Sequence, residues 1–502
     1  MAPREAEMTD APVEVEIKLT GPARVLKAAL ADLGRGEQKM TDVVSVYHDT
    51  ADDRLWRKGF TFRLRDKGGE HILTLKREGQ GELARGEWET ALDAPAADPG
   101  LLPAGAPRGE LGVILPEELS ERHRTVVRRT KKIVEFGGAV LECSLDAGRI
   151  EAGDRRMPVG ELELELLKGE PRAVLAAAEM LLSKHALALE PRSKAARGME
   201  LAGGAPPAWR KARKPELGPG DTVNRAIARI LGETATQIMA NIPAAADGRD
   251  PEGVHQLRVA LRRLRSAFKV FGKAIGAEAE RLDERARPVL KALGPARDLD
   301  VFLAETLPPV AAAHGEARGL KLLTEAAEAR QAAAYAAVRE LCAGRELSRL
   351  IVKVMLLAED MAGPGDLSEP LPAFAARVLD KRFRKARKKG RDFETMPTAQ
   401  RHEVRIAVKK FRYALDFFQS LYPDDSIGPF RESLRALQDD LGRMNDATVA
   451  EGLAENLAAG QPEAMVGAAL VKGWYTHRLK AVEPHMIAAW NDFRAAAPFW
   501  RD

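Results

Sequence analysis

Between residues 14 and 165, acids and bases recur at every second position. Glu14, Glu16 and Lys18 form one such set, Arg63 and Arg65 another, with Lys76 ending a third; Arg85, Glu87 and Glu89, Arg129 and Lys131, Glu142 and Asp146, and Glu161, Glu163 and Glu165 follow. A spacing of two places side chains on one face of a β-strand. Gathered around one space, the carboxylates call for a cation, and hard oxygen ligands suit Mg²⁺ or Mn²⁺. Bases on the facing strands suit a polyanion. Metal and basic clamp together are the means of phosphoryl transfer or hydrolysis. The ordinary alternative is a solvated outer face with cross-strand ion pairs, worth about 0.2–1 kcal/mol each. That reading suits any one strand; recurrence across successive strands is met more economically by a barrel with a charged lumen.

A second pattern follows helical spacing. His255, Arg258, Arg262 and Arg265 recur at 3, 4 and 3, with Arg263 beside them, while Leu257, Leu261, Leu264, Phe268 and Phe271 make the adjacent apolar stripe. The segment repeats 147 positions later: His402, Arg405, Lys409 and Arg412, with Lys410 beside them, lie next to Val404, Val408, Phe411, Leu415 and Phe418. Leu293–Asp298 matches Leu441–Asp446 at an offset of 148, and Asp298 and Asp446 are read as orienting nearby arginines. Acids at i+4 are scarce along both stripes, so the bases are free for an anion. Lys381–Arg391 adds eight bases in eleven residues without an acid, and Arg377, Lys381, Arg384 and Lys388 share one face of its helix. Single-stranded nucleic acid would want aromatic rings between the bases for stacking, but the aromatics here fall on the core stripe. A phosphate polymer without nucleobases fits better, and nucleic acid is not expected as a partner.

These patterns need elements to hold them. Residues 13–92 and 140–166 read with period 2 and turn residues at their ends, as antiparallel strands do, with helices at about 22–33 and 171–186. From about 221 onward the chain is Ala- and Leu-rich and helical. Gly203–Pro207 and Gly218–Gly220 bound a linker by composition. The expected organisation is a strand domain at 1–202, a linker at 203–218 and a helical domain at 219–502, the last built of two units, 221–366 and 367–502. Length alone, 502 residues, requires more than one core. Net charge is only +4, which excludes a uniformly basic coat but not segregated charge. Cys143 and Cys342 are too few for a disulfide framework. No apolar run is long enough to span a membrane, and the polar N-terminus lacks a signal-peptide core, so a cytoplasmic protein is expected. His48, His71, His123 and His185 lack metal-ligand spacing and are read as structural, Trp56 and Trp88 as packing residues, and Gly68-Gly69 as a hairpin turn.

Glu14-x-Glu16-x-Lys18, Tyr47-His-Asp-Thr50, Arg63-x-Arg65, Thr74-Leu-Lys76, Arg85-x-Glu87-x-Glu89, Arg129-Thr130, Glu161-x-Glu163-x-Glu165 and Ser193-Lys194 occur in this order, and the series resembles CYTH domains, the triphosphate tunnel metalloenzymes. The resemblance covers about 13–201. It implies an eight-stranded antiparallel tunnel that binds triphosphate with a divalent metal. Lys18, Arg63, Arg65, Lys76, Arg129 and Lys194 would hold phosphates, with Arg128 the alternative to Arg129 one register away. Glu14, Glu16, Glu161, Glu163 and Glu165 would share metal ligation and water activation, with Glu142 and Asp146 as weaker candidates; Glu14, Glu16 and Lys18 carry the catalytic assignment.

His255-x-x-Arg258-x-x-x-Arg262-Arg263-x-Arg265 and its repeat at His402, with Arg297-Asp298 and Asn445-Asp446, resemble the CHAD domain, the conserved-histidine α-helical domain, over about 217–502. That family is all-α and implies binding of inorganic polyphosphate. Each histidine heads an arginine stripe, which favours phosphate contact or capping over metal ligation. The combined expectation is a multidomain α+β chain, an N-terminal eight-stranded antiparallel β tunnel and C-terminal pseudo-twofold helical bundles. Its expected activity is inorganic triphosphatase, with polyphosphate held by the helical half. The rivals are a non-catalytic polyphosphate-binding or targeting protein and other tunnel chemistries, adenylate cyclase or thiamine triphosphatase.

Overall fold

The computed structural model describes residues 13–77, 84–315, 317–363 and 369–501, without the side chains of residues 13, 14, 84 and 85. Its first compact unit comprises the chain up to Arg210 together with Thr236–Asp250 and Cys342–Leu356; the second comprises Lys211–Ala235, Pro251–Leu341 and Leu357–Asp502.

The first unit is built on β1 (Val13–Thr20), β2 (Gln38–Thr50), β3 (Phe60–Lys67), β4 (Glu70–Arg77), β5 (Ala84–Leu92), β6 (Leu119–Phe136), β7 (Ala139–Ala152), β8 (Arg155–Lys168) and β9 (Ala188–Leu189). Among the described residues these nine form one sheet in the order β5-β4-β3-β2-β6-β7-β8-β1-β9, and β5 also pairs with β1. Eight strands therefore close on themselves, and the ninth corrects the expected count. Along one edge of β1, Val13–Val15 pair with β5, while Leu19 and Thr20 are left over. The two residues of β9 cover that remnant, which protects an otherwise open edge. Two residues are too few to show any period. The other edge of β1, Glu16–Thr20, pairs with β8.

The sheet is polar inside and apolar outside. Its outer face is covered by α1 (Ala23–Asp32), α2 (Arg54–Arg57), α3 (Arg108–Leu111) and α4 (Pro171–Lys184), whereas α5 (Lys194–Gly203) lies against inward-facing residues: its Lys194 lines the lumen, and its Leu201 packs on an inner apolar cluster of Val43, Val127, Ile150 and Val159. Phe60, Phe62, Leu73 and Leu75 point outward and are buried with Leu55, Leu102, Leu111 and Ile114 in one cluster, against which Trp88 packs. Ile17, Leu19, Leu162 and Leu164 are likewise buried, as are Leu26, Leu30, Val174, Leu181 and Leu182 of α1 and α4. Gly68 and Gly69 take positive φ at the β3–β4 hairpin, where only glycine is at ease. Gly198 of α5 lies so close to His123 of β6 that a Cβ would sit 2.0 Å from its ring. Burial, with Arg122 adding to it, pushes the His123 imidazole down to about 3, so it is a neutral packing residue stacked on Tyr47.

All remaining elements are helical: α6 (Val223–Asp247), α7 (Glu252–Ile275), α8 (Ala277–Ala292), α9 (Gly294–Val301), α10 (Leu307–His314), α11 (Arg318–Cys342), α12 (Arg345–Ala362), α13 (Leu371–Lys389), α14 (Thr398–Phe418), α15 (Asp424–Ala458) and α16 (Pro462–Ala495). The apolar stripes expected on α7 and α14 are buried. The repeats differ where Pro295 stands: α8 ends and α9 begins there, whereas the matching Gly442-Arg-Met444 lies within the unbroken α15. Phe271 and Phe418, equivalent in the repeat, meet with ring centroids 5.7 Å apart, so α7 and α14 cross about a local twofold.

Candidate functional site

Strand alternation directs charge into the tunnel. The lumen is a cavity of about 410 Å³ lined by Glu16 and Lys18 of β1, Lys39 to Tyr47 at alternate positions of β2, Arg63, Arg65 and Lys67 of β3, Lys76 of β4, Glu87 and Glu89 of β5, Arg129 and Lys131 of β6, Glu142 and Asp146 of β7, and Glu163 and Glu165 of β8, with Lys194 from α5. Of the expected phosphate-holding residues, Lys18, Arg63, Arg65, Lys76, Arg129 and Lys194 all reach this space. Arg129 lines it, whereas Arg128 is exposed and bonds Asp42 at 3.0 Å. Glu14 stands in β1 opposite Arg85, but its side chain lies outside the described residues. Glu161 is fully buried and is not part of the lining.

The charges sort into two groups. On one side Asp146, Glu161 and Glu163 converge closely enough to hold a cation between them. Cationic side chains already sit there. Lys194 Nζ is 2.7 Å from Asp146 and 3.0 Å from Glu163 and also meets Glu161. Arg129 grips Asp146 through two bonds of 2.7 Å and Glu163 through a third. Arg197 holds Glu161 from behind. Burial opposes the charged form of Glu163, but Lys194, Arg129 and Lys18 outweigh it and hold that carboxyl well below the usual range. Arg197 went unnoticed in the sequence; its signal is a position one helical turn after Lys194.

On the other side lie Glu16, Glu142 and Glu165. Glu16 meets Lys18 and lies 3.8 Å from Lys76, and Glu142 meets Lys131. Glu165 has no cation within 4.0 Å among the described residues. Burial, then Glu142, Glu16 and Glu163, push its carboxyl up to about 7. Glu16 and Glu142 stand opposite Glu165 on the flanking strands, so these carboxylates, one of them undercompensated, supply the donor type a hard divalent cation takes, while the carboxylates that already converge within 4.8 Å are Asp146, Glu161 and Glu163. Opposite in sign is Arg65. Burial, Arg63 and Arg129 push its guanidinium down to about 10, and among the described residues its Nε reaches only Ser45 Oγ, at 3.4 Å. Arg63, by contrast, is tied to Thr74, Glu87 and Glu89 at 3.1–3.4 Å. Lys131, expected beside Arg129 on one face of its strand, lines the lumen, and Lys39 and Lys67 add further bases that strand alternation in β2 and β3 could have revealed.

In the helical unit the two stripes come together. Arg258 lies near enough to Arg262, Arg297 and Asp298 to feel their charge, and Arg405 and Lys409 feel Arg262 and Asp446. Asp298 and Asp446 act on each other. Arg262 with Lys409, and Asp298 with Asp446, are equivalents in the repeat, so this groove straddles the local twofold. His255 is shifted toward its neutral form by burial and then Arg297, with Arg262 and Arg258 adding to it and Glu252 opposing, a mostly cationic setting that is poor for a metal ion.

Other expected anion-binding residues do not point there. Arg263 is buried with its guanidinium over Phe417 at 5.7 Å. Arg265 is bound to Asp283 at 2.8 Å, and Arg377 to Glu369 at 2.6 Å. Arg412 lies over Tyr413 and 3.9 Å from Asp416. His402 is exposed at the start of α14, and Lys410 is exposed beside Lys385 and Arg382 of α13.

Comparisons with known proteins agree with both halves. A family model of the CYTH domain matches residues 13–199 and one of the CHAD domain matches 229–455. The solved CHAD domain of the plant Ricinus communis is 30% identical, with a TM-score of 0.52 over 58% of this chain and 98% of that one. An inorganic triphosphatase of Haemophilus influenzae is 28% identical over 200 residues, 38% of this chain. The match spans about half, 54%, of that relative's length. With the closed antiparallel sheet and charged lumen in one unit and the repeated basic helices in the other, the chain belongs to both families, a CYTH domain followed by a CHAD domain.

Proposed function

We propose that the tunnel hydrolyses inorganic triphosphate with the help of Mg²⁺ or Mn²⁺, and that the helical groove binds inorganic polyphosphate. The observation that carries the first part is the pairing of two undercompensated groups across one lumen: among the described residues Arg65 has no carboxylate within 4.0 Å and Glu165 no cation, so that only the more distant Glu89 and Lys76 act on them. A phosphate chain laid between them supplies anion to the one, and its accompanying metal supplies cation to the other. Arg65, Arg63 and Lys76 hold phosphate oxygens, and Lys18 lies beside Glu16 where it can do the same. Glu16, Glu142 and Glu165 hold the metal, which supplies Lewis-acid polarisation of the phosphate when bound. Arg129 and Lys194 position Asp146 and Glu163 on the opposite wall. The curated relative named an inorganic triphosphatase supports this reading. Tyr47 is the only aromatic ring among the described lining residues and is already stacked on His123, which leaves no platform for a nucleobase.

Phosphate release from triphosphate, pyrophosphate, ATP and thiamine triphosphate, each with Mg²⁺, Mn²⁺ or EDTA, tests this. Triphosphate should turn over fastest, and EDTA should abolish the activity. Arg65→Ala should lower kcat/KM by about 10²–10³-fold, the loss for one preorganised electrostatic group. Full activity in Arg65→Ala, or a preference for ATP, overturns the assignment.

For the groove, a local twofold suits an inorganic phosphate chain, whose two directions are equivalent, better than a single nucleic-acid strand, whose directions differ. Burial, then Arg405, Arg262 and Arg412, push the Lys409 ammonium down to about 8, while Asp446 opposes them. A bound polyanion favours the charged form, so binding takes up a proton and weakens as pH rises through 8. Affinity for polyphosphate measured at pH 7 and pH 9 should fall, and Lys409→Arg should flatten that dependence. Equal affinity at both pH values contradicts this role for Lys409.

A further inference from the structure

A second basic cavity lies in the helical unit, away from the groove. It is open, holds about 330 Å³, and is lined by Arg384, Arg387, Lys388, Gly390, Arg391 and Arg494. The dense basic run of α13 divides here. At about 100° per residue, Arg382, Lys385 and Lys389 fall on one flank of the helix and Arg384, Arg387 and Lys388 on the opposite side. The first set faces α14: Arg382 donates to the Lys410 carbonyl at 3.2 Å, and Lys389 is 2.9 Å from Glu403. The second set faces the end of α16, where Arg494 stands in the last turn.

Gly390 makes this junction possible. A Cβ there would lie 2.2 Å from the Trp490 ring, so only glycine lets the end of α13 close on α16 and bring Arg391 beside Arg494. The bases so gathered are poorly compensated. Asp380 is the carboxylate close by, 3.4 Å from Arg384, and it is already held by Arg501 at 2.7 Å and by the Trp500 indole. Among the described residues Arg387, Lys388, Arg391 and Arg494 have no carboxylate within 4.0 Å; Arg387 rests on the Phe383 ring. The groove is made by α7, α9, α14 and α15, none of which lines this cavity.

We propose that this cavity is a second phosphate-chain site, independent of the twofold groove. Like charges held this close repel, and an anion with several charges offsets the cost. No aromatic ring is among the described residues that line the cavity, so a chain of phosphates without bases is the occupant rather than nucleic acid. The proposal takes its ligand class from the polyphosphate reading of the groove, but not its residues.

Binding of inorganic polyphosphate to the full chain, by calorimetry across a salt series, is the test. Three proteins are compared: wild type, the triple variant Arg387→Ala/Lys388→Ala/Arg494→Ala, and the groove variant Arg258→Ala/Arg405→Ala, each checked for an unchanged melting temperature. Wild type should show two classes of site, and each variant should keep one. The triple variant should also lose about two to three units of the slope of log K against log salt, roughly one per removed phosphate contact. Lys388→Arg should behave as wild type. Unchanged stoichiometry and slope in the triple variant overturn the second site while leaving the groove reading intact. Complete loss of binding in the triple variant, with none in the groove variant, overturns the groove reading and leaves the cavity as the site. Tighter binding of single-stranded RNA through the same three residues, or no polyphosphate binding by any protein, overturns the proposal.

Discussion

Glu165→Gln is expected to lower triphosphate turnover by about 10²–10⁴-fold while leaving the protein at least as stable as the wild type. The two halves of this result have one cause. Burial and the neighbouring Glu142, Glu16 and Glu163 raise the Glu165 carboxyl to about 7, above its value in an unfolded chain. Raising an acid's folded pKa means that the fold disfavours its charge. The penalty is absent below the unfolded value, grows through the interval, and is complete above about 7. Glutamine removes it. In metal-free buffer the variant's melting temperature should therefore equal or exceed the wild type's at pH 8 and match it at pH 4. A divalent ion needs the ionised carboxylate, so metal affinity and turnover of the wild type should rise through pH 7, and this limb should vanish in the variant. Turnover within about twofold of wild type, or a clear loss of stability at pH 8, removes Glu165 from the metal site. A residue held at a cost to stability and poised near neutrality is the pattern expected of function rather than of packing.

Lys194→Met should have the opposite character, a large loss of stability. Lys194 Nζ lies between Asp146, Glu161 and Glu163, two of them fully buried. Removing one partner of a buried ionic cluster strands the rest, at about 3–5 kcal/mol. Urea denaturation at pH 7 measures this. In the wild type, burial works against the charged forms of Asp146 and Glu163, but Lys194 and Arg129 hold both carboxyls below their ordinary values. Their contribution is thus present above the unfolded values and is lost as pH falls through the depressed ones. Without Lys194, burial raises these carboxyls and mild acid protonates them, so the deficit should narrow between pH 7 and pH 5. A midpoint shift worth under about 0.5 kcal/mol at pH 7 would show that Arg129 and Arg197 suffice alone.

Much of this site was legible from alternation. A spacing of two placed Arg63 with Arg65 and Glu163 with Glu165 before any fold was known, because a strand offers only two faces. Helical spacing was less decisive. Arg263 sits one step from Arg262, and that step of about 100° carries it from the groove onto Phe417. The bases of α13 form one run in the chain and two faces in space, and only the positions of α14 and α16 decide which base faces which neighbour. The partners of Lys194 were likewise beyond a local reading: its carboxylates lie 31 to 48 positions away on β7 and β8. The ninth strand is specified by the edge it covers, not by its own two residues.

The inside-out sheet has an evolutionary consequence. In a common barrel the residues that fill the interior also hold the fold up, so changing them is dangerous. Here the apolar side chains lie in the outer shell under the helices, and the bore is lined by charge. Away from Val43, Val127 and the ionic cluster of Lys194, a substitution in the bore removes no core packing, and at Glu165 it relieves strain between like charges. Lineages carrying this architecture can therefore rewrite the Glu165 side of the bore one residue at a time, exploring new anions and new reactions, while the shell and the Lys194 cluster keep the chain folded.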